Sequence, residues 1–118
     1  MDNKRFSKKE LEDRTKKFAV EIIRLSSTLP RTAEGMVIKN QLTKSGTSIG
    51  ANYREANRAR SRADFKNKIK ICESEASETQ YWMEIIVQTK WLSSEDVKPV
   101  YGESSELLAI FASIGKST

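Results

Sequence analysis

Apolar residues recur along this chain at intervals of three and four, the period of helices that turn one face inward. Leu11, Phe18, Ile22 and Leu25 form the first such stripe, with Asp13, Arg14, Lys17, Glu21 and Arg24 lying mainly off it. Ser7 and Glu10 have the spacing at which each side chain bonds the other's backbone amide, so a first helix is predicted to begin after Ser7 and to end near Leu29, ahead of Pro30. Residues 1–6 are expected to fray. Thr32 can cap a second helix, whose face runs through Met36, Ile38, Leu42, Ile49, Tyr53 and Ala56 to about Asn57. Ser45, Gly46, Ser48, Gly50 and Ala51 interrupt that face, and each interior glycine costs about 1 kcal/mol of helix propensity. Either a neighbouring helix approaches closely there, or the helix kinks near Gly46.

Ser61 and Asp64 repeat the capping spacing, and Phe65, Ile69, Cys72, Ala76, Thr79, Met83, Ile86 and Lys90 follow in alternating steps of three and four. A helix of about 30 residues is predicted, about 45 Å long. A last helix is expected from near Ser94 to Gly115, burying Val97, Tyr101, Leu108, Phe111 and Ile114, with Pro99 tolerated only in or near the first turn. The links at Pro30–Arg31, Arg58–Arg60 and Ser93 are short, and short links make sequential helices antiparallel neighbours. The fold class predicted is all-α, an antiparallel up-down-up-down four-helix bundle with residues 1–118 as a single domain.

Composition narrows the chemistry. Two prolines and five glycines in 118 residues, with 31% charged and 37% hydrophobic, suit long helices better than a loop-rich chain. No run approaches the roughly 20 apolar residues of a membrane span, and the polar start, Met1 to Lys9, lacks the apolar stretch of a signal peptide, so a soluble cytoplasmic protein is expected. With no histidine and one cysteine, His-ligated metal and an internal disulfide are both excluded. Cys72 falls on a core stripe with no histidine to activate it, and Gly46 and Gly50 follow no strand and precede no Gly-Lys-Ser/Thr ending, so neither a nucleophile nor a phosphate loop is expected. No cofactor is implied.

Charge is unevenly placed. Arg54, Arg58, Arg60, Arg62, Lys66, Lys68 and Lys70 face only Glu55 and Asp64, so residues 54–70 carry as much charge as the whole chain's net +5, while the chain from Ile71 onward is acidic. Those seven cations are candidates for RNA or DNA contact; the bland alternative is a solvated face, or a subunit contact with Glu73, Glu75, Glu78 and Glu84. Asn52, Glu55, Asp64, Ser74 and Glu78 are the polar residues expected to meet where the second and third helices pack, as a structural polar cluster or subunit contact. Their carboxylates lack the Glu-x-x-His pairs of a di-metal bundle. Tyr81, Trp82 and Trp91 lie partly off the stripe, where aromatics either mark an interface or cover the bundle's own loops. Gly46 and Gly50 offer a further contact surface.

The segment Ser45-x-x-Ser48-Ile49-x-x-Asn52-x-x-Glu55, within the stretch from Gln41 to Ala56, with Arg60-Ser61-x-x-Asp64-Phe65 beyond it and Glu78 later, resembles the four-helix bundle protein family, also called the 23S ribosomal RNA intervening-sequence protein family. The resemblance covers nearly the whole chain. It implies a bundle that assembles as a ring-like homopentamer, with no enzymatic activity attached. A related branch, the accessory variability determinant of diversity-generating retroelements, is a basic pentamer that binds nucleic acid and a reverse transcriptase. Ala56 and Glu73 stand where many members have glycine, and both changes favour helix. The function expected is therefore a non-enzymatic homo-oligomeric scaffold, with RNA or DNA bound through residues 54–70; the alternative is a protein–protein interaction module with no nucleic-acid ligand.

Overall fold

The computed structural model describes residues 7–118, so the fraying expected of residues 1–6 lies outside the described residues. It contains α1 (Lys8–Ser26), α2 (Ala33–Ala56), α3 (Arg62–Gln88) and α4 (Ser94–Lys116). Each helix starts at a hydroxyl that satisfies an otherwise orphaned amide. Ser7 Oγ accepts from the Glu10 amide at 3.0 Å while Glu10 returns a carboxylate to the Ser7 amide at 2.9 Å, a bond that also holds the Glu10 carboxyl below its ordinary pKa. Thr32 and Ser61 cap the Gly35 and Asp64 amides, each at 3.0 Å. At the last helix Ser93 and Asp96 form a second reciprocal box, one the sequence reading placed only as a start near Ser94.

Short links fold these helices back and forth into an antiparallel bundle of 44 × 24 × 20 Å. Packing follows chain order, α1 on α2, α2 on α3 and α3 on α4, with α4 and α1 in lighter contact. The core runs through Leu11, Phe18, Ile22, Leu42, Ile49, Ile69, Cys72, Ala76, Met83, Ile86 and Phe111, all fully or almost fully buried. Polar groups inside it are satisfied locally: Thr79 Oγ1 lies 3.0 Å from Ser45 Oγ and donates to the Glu75 carbonyl at 2.7 Å, and Thr15 Oγ1 donates to the Leu11 carbonyl at 2.9 Å.

α2 is continuous, without the break near Gly46. A Cβ on Gly46 would lie 2.7 Å from both γ carbons of Ile22, and one on Gly50 would lie 3.0 Å from Thr15 Oγ1. Close approach of α1 is therefore what compensates the two glycines, and Gly46 is not open to another subunit. In α4 the core position is Leu107, fully buried, where the sequence reading chose Leu108; Leu108 and Tyr101, both expected in the core, are only half-buried. Met36, placed on the core face of α2, is 44% exposed. Lys90 does not continue α3: it lies past the helix end at φ 63°. There the Lys90 amide bonds the Val87 carbonyl and the Trp91 amide the Ile86 carbonyl, the paired closure of a Schellman turn. Trp91 packs half-buried against the core at that turn and so covers its own loop. Pro99 lies in the second turn of α4 rather than the first, on the exposed side.

Two cross-helix ion pairs among the described residues, both from Arg14, close the lighter α1–α4 seam. Arg14 Nε donates to Glu103 Oε2 at 2.6 Å, and Arg14 Nη2 to Glu103 Oε1 at 2.8 Å and Glu106 Oε1 at 2.6 Å. This fork raises the guanidinium pKa further above its already high ordinary value.

Candidate nucleic-acid interface

Antiparallel packing decides where the basic stretch lies. Residues 54–70 comprise the end of α2, the turn after it and the first turns of α3, so they sit at one end of the bundle. The start of α1 and the end of α4 come to the same end: the Asn57 amide group donates to Glu12 Oε2 at 2.9 Å, and Gly115 lies against Ile69. Lys8, Lys9, Lys16 and Lys116 therefore join the cluster. The sequence reading missed them because they are distant along the chain; the up-down topology it predicted was the signal that could have placed them.

The seven candidate cations do not share one face. Arg54 lines a groove of about 380 Å³ between α1 and α2, together with Lys16, Glu12 and Glu55. Lys70 lines a different depression, over α3 and α4, with Glu73, Ser74, Glu78, Tyr81 and Leu108. Arg58 and Arg60 occupy the turn between the two helices, and Arg62 opens α3. Arg54, Arg58, Arg60, Arg62 and Lys70 are exposed, whereas Lys66 and Lys68 are half-buried. Among the described residues none of the seven forms an ion pair; the salt bridges lie at Lys9–Asp13, Arg14–Glu103, Arg14–Glu106 and Arg24–Glu21. The result is a collar of mostly exposed cations around one end of the bundle.

The second candidate set does not come together. Asn52 is half-buried and donates its amide to the Ser48 carbonyl at 2.9 Å within its own helix. Glu55 faces the α1–α2 groove, and Asp64 sits exposed in the first turn of α3. Glu78 is 14 residues further along α3, about 21 Å away by helical rise, and accepts from Trp82 Nε1 at 3.1 Å. Ser74 is exposed beside it. These residues lie on the surface because the α2–α3 seam is filled by Ser45, Ile49, Cys72, Ala76 and Thr79, leaving no interior room for carboxylates. The perturbed carboxyl of this region is Glu75, whose pKa rises because partial burial removes water and Glu78 repels its charge. Cys72 is buried against the Ile49 carbonyl, and burial pushes its thiol up to about 12.

Exposed apolar side chains lie elsewhere. Val20 and Ile23 on α1 are 41% and 49% exposed, Val37 on α2 is 58% exposed and Tyr81 on α3 is 55% exposed, its ring set edge-on to Trp82 at 5.0 Å. No helix among the described residues is long and apolar enough to cross a membrane.

A family model described as 23S rRNA-intervening sequence protein matches residues 8–113. Among solved structures, the chain is similar to a protein of unknown function from the S23 ribosomal protein family of Bacteroides thetaiotaomicron. The two are 41% identical with a TM-score of 0.83, over 89% of this chain and 97% of that one. No curated protein is similar enough to this chain to count as a match.

Proposed function

This chain belongs to the 23S rRNA-intervening sequence protein family, and from that premise we propose that it is a non-enzymatic, self-assembling bundle that binds RNA or DNA through its basic end. The observation that carries this reading is the collar of exposed arginines at Arg54, Arg58, Arg60 and Arg62, none of them in an ion pair among the described residues. Hydrated guanidiniums with no carboxylate to give up exchange their counterions for backbone phosphates at little cost. A ring, pentameric by the resemblance, repeats the collar around its axis, and multivalency then raises the affinity of individually weak contacts.

Assembly is supported by the exposed Val20, Ile23, Val37 and Tyr81, apolar surface that an isolated bundle would leave in water. The absence of catalysis is supported by the state of the candidate groups. The lone thiol is buried and protonated near neutral pH, and the carboxylates are dispersed along the surface. The same apolar residues favour a second reading, a module that recruits one protein partner and no nucleic acid.

Fluorescence anisotropy with a labelled RNA, at rising salt, tests the proposal. Binding should weaken with salt and be lost in the variant carrying Arg58→Gln, Arg60→Gln and Arg62→Gln. No binding at low salt, or binding unchanged in the variant, turns the reading toward the protein-partner module.

A further inference from the structure

We infer that the basic end takes double-helical nucleic acid in preference to single strands. The inference rests on the nucleic-acid reading above and concerns the form of ligand that the end accepts. Single strands are held in a positively charged groove whose exposed aromatic rings stack the bases, each ring contributing heavily to affinity. Neither depression here is such a groove: the one beside Arg54 sets Arg54 and Lys16 against Glu12 and Glu55, and the one beside Lys70 carries Glu73 and Glu78, with Tyr81 as its aromatic ring. Tyr53 is buried with its ring 5.5 Å from Phe111, and Phe65 is packed against the core. The most exposed aromatic, Tyr81, lies 19 residues beyond Arg62 in the same helix, about 28 Å along its axis.

What the end does provide is cations spread across the width of the bundle, whose short extents are 24 and 20 Å. Arg54 lies on its α1–α2 side, Lys70 on its α3–α4 side, and Arg58 and Arg60 between them. A single strand offers one line of phosphates, which meets the cations on one side of the end at a time. A duplex offers two lines of phosphates, one on each side of a groove, so cations spread over this end reach both strands at once. Contacts of that kind position the protein on the backbone and read shape, without base identity.

The test is anisotropy of the full-length chain with an RNA duplex of twenty base pairs, with an unstructured single strand of twenty nucleotides, and with polyglutamate as competitor, between 50 and 200 mM salt. The duplex should bind about tenfold tighter or better at the lower salt, and it should show the steeper salt dependence, because two strands place their phosphates more densely along the axis than one. Arg58→Gln with Arg60→Gln, both in the turn and outside the helices, should abolish the preference without loss of helical signal. Equal or tighter binding of the single strand overturns this inference and leaves the nucleic-acid reading standing. Binding of neither RNA overturns that reading itself. Competition by polyglutamate as effective as duplex overturns both, and marks an acidic protein surface as the ligand.

Discussion

Alanine placed at two helical glycines should shift stability in opposite directions, because the structure surrounds them differently. Replacing an interior helix glycine by alanine gains about 0.8 to 1 kcal/mol from propensity alone. At Gly102 nothing lies within 4 Å of an added Cβ, so Gly102→Ala should keep the whole gain, raising Tm by about 3–5 °C for a chain of this size. At Gly46 the added Cβ meets Ile22 Cγ1 and Cγ2 at 2.7 Å and Ile22 Cβ at 3.0 Å. Ile22 is fully buried and cannot swing aside, so overpacking of about 1 to 3 kcal/mol outweighs the propensity gain. Gly46→Ala should therefore lose up to about 2 kcal/mol net, a fall in Tm of up to roughly 8 °C. Ile22→Ala is costly alone, but it removes both γ carbons, so in that background Gly46→Ala should become stabilising. The assay is urea and thermal denaturation followed by circular dichroism at one fixed protein concentration, since assembly ties stability to concentration. Equal gains from Gly46→Ala and Gly102→Ala would refute the close α1–α2 approach, and so would an unchanged sign in the Ile22→Ala background.

Three further outcomes follow from single contacts. Lys90→Gly should raise stability by about 0.5 to 1 kcal/mol, because a side chain at φ 63° is strained where glycine is not; a loss in urea denaturation would contradict the turn assignment. Cys72, whose folded pKa is raised above its unfolded value to about 12, contributes stability that is fully present below the ordinary thiol pKa near 9 and is lost as pH rises through 12. Its alkylation at neutral pH should track global unfolding, and rapid labelling of the native protein would contradict the buried placement. Arg14→Met should cost about 1 to 2 kcal/mol and speed hydrogen exchange in α1 and α4 ahead of α2 and α3, because the Glu103–Glu106 fork bridges the lightest seam; uniform exchange across all four helices would argue against that role.

Much of the fold was legible because local signals agreed with the global one. Ser7, Thr32 and Ser61 cap the helices that the apolar stripes outline, and the stripes of α1 and α3 are the faces that bury. The misses occurred where three-dimensional context overrides period. Leu107 and Leu108 are adjacent leucines on α4, and only the direction of α3 decides which one turns inward. Lys90 fits the three-four alternation, yet a left-handed turn ends the helix two residues before it. Gly46 and Gly50 were legible as a question, and their answer lay in Ile22 and Thr15, more than twenty residues away in the chain. In the candidate site the arginine concentration was visible as a run of sequence. Its partition between two sides of the bundle, and its reinforcement by Lys8, Lys16 and Lys116, needed the packing of α1 and α4. The polar set of Asn52, Glu55, Asp64, Ser74 and Glu78 was chosen on chemical type, and burial, which chemical type does not fix, separates its members.

The most direct test of the central claim is the absolute mass of the purified protein by light scattering, alone and with a short RNA duplex at low and high salt. A self-assembling bundle with a basic end gives a discrete multiple of the 13.4 kDa chain, about 67 kDa for a pentamer, that gains RNA mass at low salt and releases it at high salt. A 13.4 kDa monomer whose mass is the same with and without RNA at both salts would contradict that claim.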